Sequence, residues 1–438
     1  MKLGIYLKES WYNLRKDRVY SAVYIIGTGL SLALVTAFLT VQSMYFDNSR
    51  PEVYRDRMMI IPNLSESHEN GNNANATLGR EFIDRFLLEQ PIEGVEAITA
   101  IRYKDISVSN EDEEVVNAVA NNVDEKFWNV FEFDFLHGRA MVQASFDLAV
   151  PEAVLSESFA RDLYGRSDVV GKSIFVNGRE YKVCGVARDV PQSATLAFAQ
   201  LWLPDIDSNA DAAEMEQWIG RKTMLGNYFA IVLAKERSCF DDIRKTVEDR
   251  LERYNNSADA EWKLTLNKGI PSVRDMAFVW TGITSSAYTW IGAAVMLFIL
   301  LIPMINLTGM VGSRMETRMG EFGLRKSFGA WPGAIVRQIA GENLLLTLSG
   351  GVVGLILSSM LLMIFPEQFS QMIPARAMAV EFSMFDIDTE VLSFRDLFKV
   401  KIYLILLAIV LVLNIISALI PAWKVIRRSI TDSLNSKK

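Results

Sequence analysis

Val19-Tyr-Ser-Ala-Val-Tyr-Ile-Ile-Gly-Thr-Gly-Leu-Ser-Leu-Ala-Leu-Val-Thr-Ala-Phe-Leu-Thr-Val-Gln-Ser-Met-Tyr-Phe46 contains no Asp, Glu, Lys or Arg. A helix needs about 20 apolar residues to cross roughly 30 Å of hydrocarbon, so this run is long enough to span a bilayer. A basic segment (Lys2, Lys8, Arg15, Lys16, Arg18) precedes it, as in a secretory signal. The run is much longer than a signal core of roughly 7 to 15 residues, and no Ala-x-Ala-like site precedes Asp47, so it reads as an uncleaved anchor. Three further uncharged runs, 287–312, 343–365 and 402–423, have the same character. The reading is a membrane protein of four transmembrane α-helices.

These runs account for the composition of the 438 residues: 50% hydrophobic, 22% charged, mean hydropathy +0.17. The net charge of −7 disfavours a general nucleic-acid binder, and two cysteines exclude a disulfide scaffold. The charge is unevenly placed. Segments 1–18, 314–342 and the tail after 423 hold fifteen basic and six acidic residues, or +9, which leaves −16 for 47–286 and 366–401. By the positive-inside rule both termini and the 313–342 loop are expected in the cytoplasm. The expected layout is a cytoplasmic amphipathic segment (1–18), helices at 19–46, 287–312, 343–365 and 402–423, and a cytoplasmic tail at 424–438. A large mixed α/β domain (47–286) on the outer side separates the first two helices, and a short outer loop (366–401) the last two.

Within 47–286, Val53 to Ile61 is strand-like and leads into an Asn-rich stretch (Asn63, Asn70, Asn72, Asn73, Asn75) expected to be an exposed loop. Helical spacing follows at Phe82, Ile83, Phe86 and Leu87, then β-rich runs at Val95–Ile101, Ile106–Val108 and Val115–Val123. Asn177-Gly178, set between alternating apolar residues in Ile174–Val186, is the signature of a type I′ hairpin. A strand at Phe229–Leu233, a helix at Phe240–Tyr254 and a strand at Trp262–Leu266 close the domain. Cys184 falls on the hairpin and Cys239 at the start of that helix. A bond between them stays open in an oxidising compartment, with a buried free thiol the default for Cys184.

Catalytic chemistry is hard to find. Gly165-Arg-Ser-Asp-Val-Val-Gly171-Lys172-Ser173 resembles a phosphate-binding loop but has five residues between its glycines where that loop has four. His68 and His137 are far apart and without Cys or His neighbours, so no metal site is expected. The acidic pairs Asp241/Asp242 and the run Glu111–Glu114 read as solvated charge. The chain is not expected to be an enzyme and needs no cofactor of its own.

The 313–342 segment carries a different signal. Arg314, Arg318, Glu321 and Arg325 fall on one helical face and Met315, Met319 and Phe322 on another. Glu321 lies three residues after Arg318 and four before Arg325, so ion pairs support the helix. Such a helix either fixes topology at the membrane surface or docks a cytoplasmic partner.

Glu321-Phe-Gly323-Leu-Arg325-Lys326-Ser-Phe-Gly329-Ala330 is close to the pattern E-I-G-x-R-K-A-x-G-A, with Phe322 and Ser327 departing from it. Ile335-Val-Arg-Gln338, Glu342 and Gly350-Gly351-Val-Val-Gly354 continue it, and Pro421-Ala422 with Leu434 echoes its ending. On these residues the chain resembles the MacB/FtsX-like permeases, membrane subunits of ABC transporters. The outer segment resembles their MacB-type periplasmic core domain through Phe127-Trp-Asn-Val-Phe131, Gly138-Arg139, Ser156-Glu157, Leu163-Tyr-Gly165, Val170-Gly171-Lys172 and Cys184-Gly185-Val186.

The resemblance implies a bacterial inner-membrane permease subunit that works by mechanotransmission, with the outer domain (47–286) and the outer loop (366–401) in the periplasm. A separate cytoplasmic ABC ATPase dimer, carrying ATP and Mg, would grip the segment bearing Arg318, Glu321, Gly323, Arg325, Lys326 and Gly329. Its closure would be passed to the periplasmic domain for efflux or export. Partners would include a second permease copy or paralogue, a periplasmic adaptor and an outer-membrane channel. Gly29 and Ala33, and Gly350, Gly354 and Ser358, are small residues at i, i+4 spacing that permit close helix packing, and Asn306, Asn343 and Asn414 are candidate interhelical hydrogen-bond partners. Lipoprotein release or envelope remodelling by the same architecture is the alternative, as is a signalling or scaffold protein without transport.

Overall fold

The four uncharged runs are helical in the computed structural model, which describes residues 18–258, 260–276, 278, 279, 283–317, 320, 324, 327, 328, 332–365, 368 and 399–427. The helices are Arg18–Phe46, Ser285–Thr317, Pro332–Ile364 and Val400–Arg427, each long and apolar enough to cross a membrane. The third begins eleven residues before the uncharged run does. Pro332 opens it, a position where the missing N–H costs nothing, and its first turns include Arg337 and Glu342, which an uncharged-run scan excludes.

The chain divides into two compact units: residues 1–42, 286–372 and 393–438, and residues 43–285 and 373–392. The first unit is built on the apolar helices. Leu32, Val35, Leu300, Leu406 and Val410, drawn from three of them, form a shared buried cluster. Many other apolar side chains, among them Ile26, Val295, Val352 and Ile409, are exposed, as suits helices that face lipid.

The second unit is a mixed α/β fold. Its strands are β1 (Met58–Ile61), β2 (Leu64–Ser67), β3 (Asn73–Leu78), β4 (Val95–Ser109), β5 (Val115–Val123), β6 (Phe135–Gly138) and β7 (Glu152–Ser156). They continue with β8 (Ser173–Val176), β9 (Arg179–Ala187), β10 (Leu201–Pro204), β11 (Leu225–Gly226), β12 (Phe229–Ala234) and β13 (Lys263–Thr265). The large sheet runs β1-β12-β4-β5-β10-β7-β9-β6, and β8 pairs with both β9 and β4. Hydrogen bonding therefore closes into a ring from β4 through β5, β10, β7, β9 and β8 back to β4. The fifteen-residue β4 makes this possible by pairing with β12 through Val95–Ile101 and with β5 through Ile101–Ser109.

Alternation along the strands covers both sheet faces. Met58, Ile60, Ile231 and Val119 enter one core with Phe127, Phe131 and Trp202. Met59, Ile61 and Val232 enter another, under the helix Phe240–Asn255. That helix buries Phe240, Ile243, Val247 and Leu251 at three-to-four spacing, with Asp241 and Asp242 in its first turn and Arg253 in its last, as the helix dipole favours. A third core, from Ala118, Ala120, Leu155 and Val183, packs on Phe159, Ala160 and Leu163 of the helix Glu157–Tyr164.

Two local expectations are corrected. The Asn-rich stretch is not a loop throughout: β2 and β3 pair antiparallel, with Leu64 opposite Ala76 and Ser67 opposite Asn73, in a second sheet ordered β11-β3-β2-β13. The force that fixes it is remote. Glu66 on β2 is buried and accepts from Met224 N–H at 2.7 Å and Thr223 Oγ1 at 2.9 Å, while Arg221 pairs with it at 2.6 Å. Val53 to Ile61 is a strand only from Met58, since Arg55–Arg57 forms a 3-10 turn. At the hairpin, Asn177 (φ 50°) and Gly178 (φ 78°) adopt the left-handed conformation that a type I′ turn requires. Gly165 (φ 69°) ends the helix Glu157–Tyr164, so the glycine of the loop-like motif serves as a helix cap.

Candidate functional site

Arg318, Glu321, Gly323, Arg325, Lys326 and Gly329, the coupling residues expected from sequence, lie outside the described residues. Between them, Leu324 and Phe328 are four residues apart in a helical turn, with Phe328 N–H donating to the Leu324 carbonyl at 3.2 Å. Both are exposed, Phe328 at 83%. An apolar pair on one face of a turn is what a docking partner would cover.

The small residues of the helices meet within the chain. A Cβ on Gly29 would lie 2.9 Å from Val353 Cγ1 and 3.2 Å from the Gly350 carbonyl, and one on Gly354 would lie 2.9 Å from Leu32 Cβ and 3.0 Å from the Gly29 carbonyl. The first and third helices thus touch backbone to backbone there. Ala33 and Ser358 are buried. Above this contact a polar node joins three helices: Asn414 Nδ2 donates to the Tyr24 hydroxyl at 2.7 Å and to Thr347 Oγ1 at 2.9 Å, and these two hydroxyls lie 2.9 Å apart. Ser417 Oγ donates to the Met304 carbonyl at 2.9 Å, joining the fourth helix to the second. Among the described residues Asn343 accepts through its backbone carbonyl, from Thr347 Oγ1 of the same helix. The Asn306 side chain lies outside the description.

Sequence reading misses the most heavily bonded ion pair, at the end of the first helix. Residues from Ser43 onward belong to the α/β unit. There Arg55 Nη1 donates to the carbonyls of Met44 (2.8 Å), in the last helical turn, and Asp47 (3.1 Å), just beyond it, and Nη2 donates to the Ser193 carbonyl at 3.0 Å. Its Nε donates to Glu52 Oε2 at 2.7 Å, and Glu52 Oε1 accepts from the N–H groups of Leu196 (2.7 Å) and Ala197 (3.0 Å). Both side chains are almost fully buried, at 1% and 0% exposure. A buried pair this well saturated holds its geometry, because every lost bond leaves a charge in low dielectric. The returning chain is tied to the same place: Arg274 Nη2 donates to the Phe46 carbonyl at 3.0 Å, and Phe46 stacks on Phe278 with centroids 5.8 Å apart. A charged pair at i, i+3, Glu52 and Arg55 with Val53 and Tyr54 between them, a few residues after a long uncharged run, is the sequence signal available here.

Near this clamp, Tyr54 donates to Glu132 Oε1 at 2.9 Å, and that bond, with the Glu132 charge, raises the phenol pKa. Arg50 pairs with Asp134. Elsewhere Asp124 is pushed up to about 6 by burial, against hydrogen bonds from Thr99 Oγ1 (2.6 Å) and Ala100 N–H (2.8 Å) that favour its ionised form. Cys184 and Cys239 are both free thiols, and burial pushes Cys184 up to about 12. Among the described residues, no group of His, Cys, Asp and Glu could hold a metal ion.

Comparison with known proteins matches both parts of the chain. Residues 21–249 match the family model of the MacB-like periplasmic core domain, and residues 293–430 that of the FtsX-like permease C-terminal. The chain is 21% identical over 293 residues to the uncharacterized ABC transporter permease YknZ of Bacillus subtilis, covering 67% of this chain and 69% of that one. It is 24% identical over 269 residues to the macrolide export ATP-binding/permease protein MacB of Escherichia coli K12, covering 59% of this chain but only 36% of that longer protein. Among solved structures, the extracellular domain of YknZ from Gram-positive bacteria aligns at 16% identity and TM-score 0.32, over 43% of this chain and 88% of that one. The periplasmic region of MacB from Actinobacillus actinomycetemcomitans aligns at 15% identity and TM-score 0.31, over 51% and 94%. With four apolar helices and a periplasmic-type α/β domain between the first and second, the chain belongs to the MacB/FtsX-like family of ABC transporter permeases.

Proposed function

We propose that this permease is the membrane half of an export machine in which a separate cytoplasmic ATPase dimer drives the periplasmic domain by mechanical coupling. The observation that carries the reading is the FtsX-like match over 293–430, which contains the 313–342 segment. The ATPase docks on that segment through Glu321, Arg325 and Lys326, with Gly323 and Gly329 allowing close approach and Leu324 and Phe328 adding apolar contact. The charge distribution supports an orientation with both termini cytoplasmic.

Several features favour mechanical transmission over conduction through the helices. The uncharged runs carry no ionisable residue of the kind that marks an ion pathway, and the charged residues of the membrane-capable spans, Arg18, Glu342 and Lys401, lie near their ends. Motion of the first helix reaches the α/β unit through its last turn, where Arg55 and Glu52 bind Met44 and Asp47 to the 193–197 loop. An export role is carried over from the relative named for macrolide export.

Co-purification of the full chain from native membranes tests the reading. An ATPase is expected in the complex. A periplasmic adaptor and outer-membrane channel would mark efflux, a lipoprotein carrier would mark lipoprotein release, and a complex without an ATPase would contradict the proposal.

A further inference from the structure

The segments 47–286 and 366–401 together carry −16, yet one cavity of the α/β unit gathers three guanidinium groups. It has a volume of about 280 Å³ and lies between the 84–90 turn and the helix Phe240–Asn255, with Arg85, Arg250 and Arg253 among its walls and Gln90 and Ser257 beside them. Each arginine is held by neutral groups. Arg250 donates to the carbonyls of Phe86 (2.7 Å), Gln90 (3.1 Å) and Pro91 (3.1 Å). Arg253 Nε donates to the Asp249 carbonyl at 3.2 Å, and the Arg85 guanidinium lies 4.9 Å from the centre of the Tyr254 ring.

Among the described residues none of the three forms an ion pair with a carboxylate. Burial and the neighbouring Arg253 charge lower the Arg250 pKa, as expected where positive charge is uncompensated. Three carbonyls fix the orientation of Arg250, while Arg85 and Arg253 are exposed beside it with their charge unspent, so the groove presents unpaired positive charge to an anion. Glu89 is the one carboxylate among the lining residues. The formal sum is two positive charges, which matches a phosphate monoester dianion better than a single carboxylate. The volume suits a headgroup-sized moiety, below the roughly 300 to 1,000 Å³ of pockets for larger ligands.

We propose that this cavity binds a phosphate group, gripped by Arg85 and Arg253 with Arg250 supplying field from behind. Forked guanidinium donors match phosphate oxygens bidentately, and charge-assisted bonds of this kind are the strong ones. The phosphate comes either from a soluble ion or from a lipid headgroup, and the site stands independently of ATPase coupling.

Titration calorimetry on the full chain in phosphatidylcholine nanodiscs at low salt tests it, with inorganic phosphate in one arm and dihexanoyl phosphatidic acid in the other. Saturable binding is expected, weakened about tenfold or more by Arg85→Gln and by Arg253→Gln. Phosphatidic acid binding at least tenfold tighter than phosphate assigns a lipid source, and equal affinities assign the free ion. Arg250 is left intact because it caps the 86–91 carbonyls, and an unchanged thermal unfolding curve verifies the fold of both variants. No saturable binding of either probe, or binding that both variants retain, overturns the proposal.

Discussion

Arg55 and Glu52 form a buried ion pair, 2.7 Å between Nε and Oε2, that joins the end of the first apolar helix to a loop about 140 residues away. Replacing Arg55 by Leu strands the Glu52 carboxylate and the carbonyls of Met44, Asp47 and Ser193. A loss of about 3–5 kcal/mol is expected. Thermal unfolding of the purified full chain measures it, and a melting temperature within a degree of wild type would contradict the clamp.

The contact between the first and third helices has no room for a side chain. Gly354→Leu should force them apart, at a cost of about 1–3 kcal/mol by overpacking. Gly27, with no atom near its missing Cβ, is the control: Gly27→Ala is expected to be neutral or slightly stabilising. Equal melting temperatures for both variants in detergent would show that the helices do not pack through Gly354.

Gly138 sits at φ 70°, and a Cβ there would lie 2.2 Å from the Cys184 carbonyl oxygen. Gly138→Ala therefore strains the backbone and collides with β9, and destabilisation of about 2–4 kcal/mol is expected. Chemical denaturation of the full chain gives the value, and a midpoint equal to wild type would refute the close approach.

Acid–base behaviour adds a fourth expectation. Burial raises Asp124 from 3.8 to about 6 in the folded chain, so the folded state holds this proton more tightly than the unfolded state. The associated stability is fully present below pH 3.8 and lost as pH rises through 6, a change on the order of 3 kcal/mol. Stability relative to Asp124→Asn, measured from pH 4 to 7, should fall across that window. A flat difference would mean that the donors around the carboxylate, Thr99 Oγ1 and the N–H groups of Ala100, Lys126 and Phe127, offset its burial.

The spans were legible because a membrane helix is written locally, in a run of uncharged residues, and the Asn177-Gly178 hairpin because a type I′ turn needs two particular residues in sequence. The β2–β3 hairpin was hidden because its polar Glu66 is buried only by virtue of Arg221 and Met224, more than 150 residues on. The clamp was hidden for the same reason: Glu52 looks like a surface acid until Leu196 and Ala197 present their N–H groups to it. Gly29 and Gly354 were visible as small residues, but not that they face each other within one chain. The coupling residues around Glu321 rest on sequence pattern alone.

On the proposed mechanism an ATPase drives this permease through the 313–342 segment. The most direct measurement is ATP turnover by the co-purified ATPase, reconstituted with the full chain in liposomes and compared with Glu321→Lys. Normal membrane insertion is expected, with turnover reduced about tenfold or more, as loss of a charge-assisted contact at a docking surface implies. Wild-type binding and wild-type turnover in the Glu321→Lys complex would contradict it.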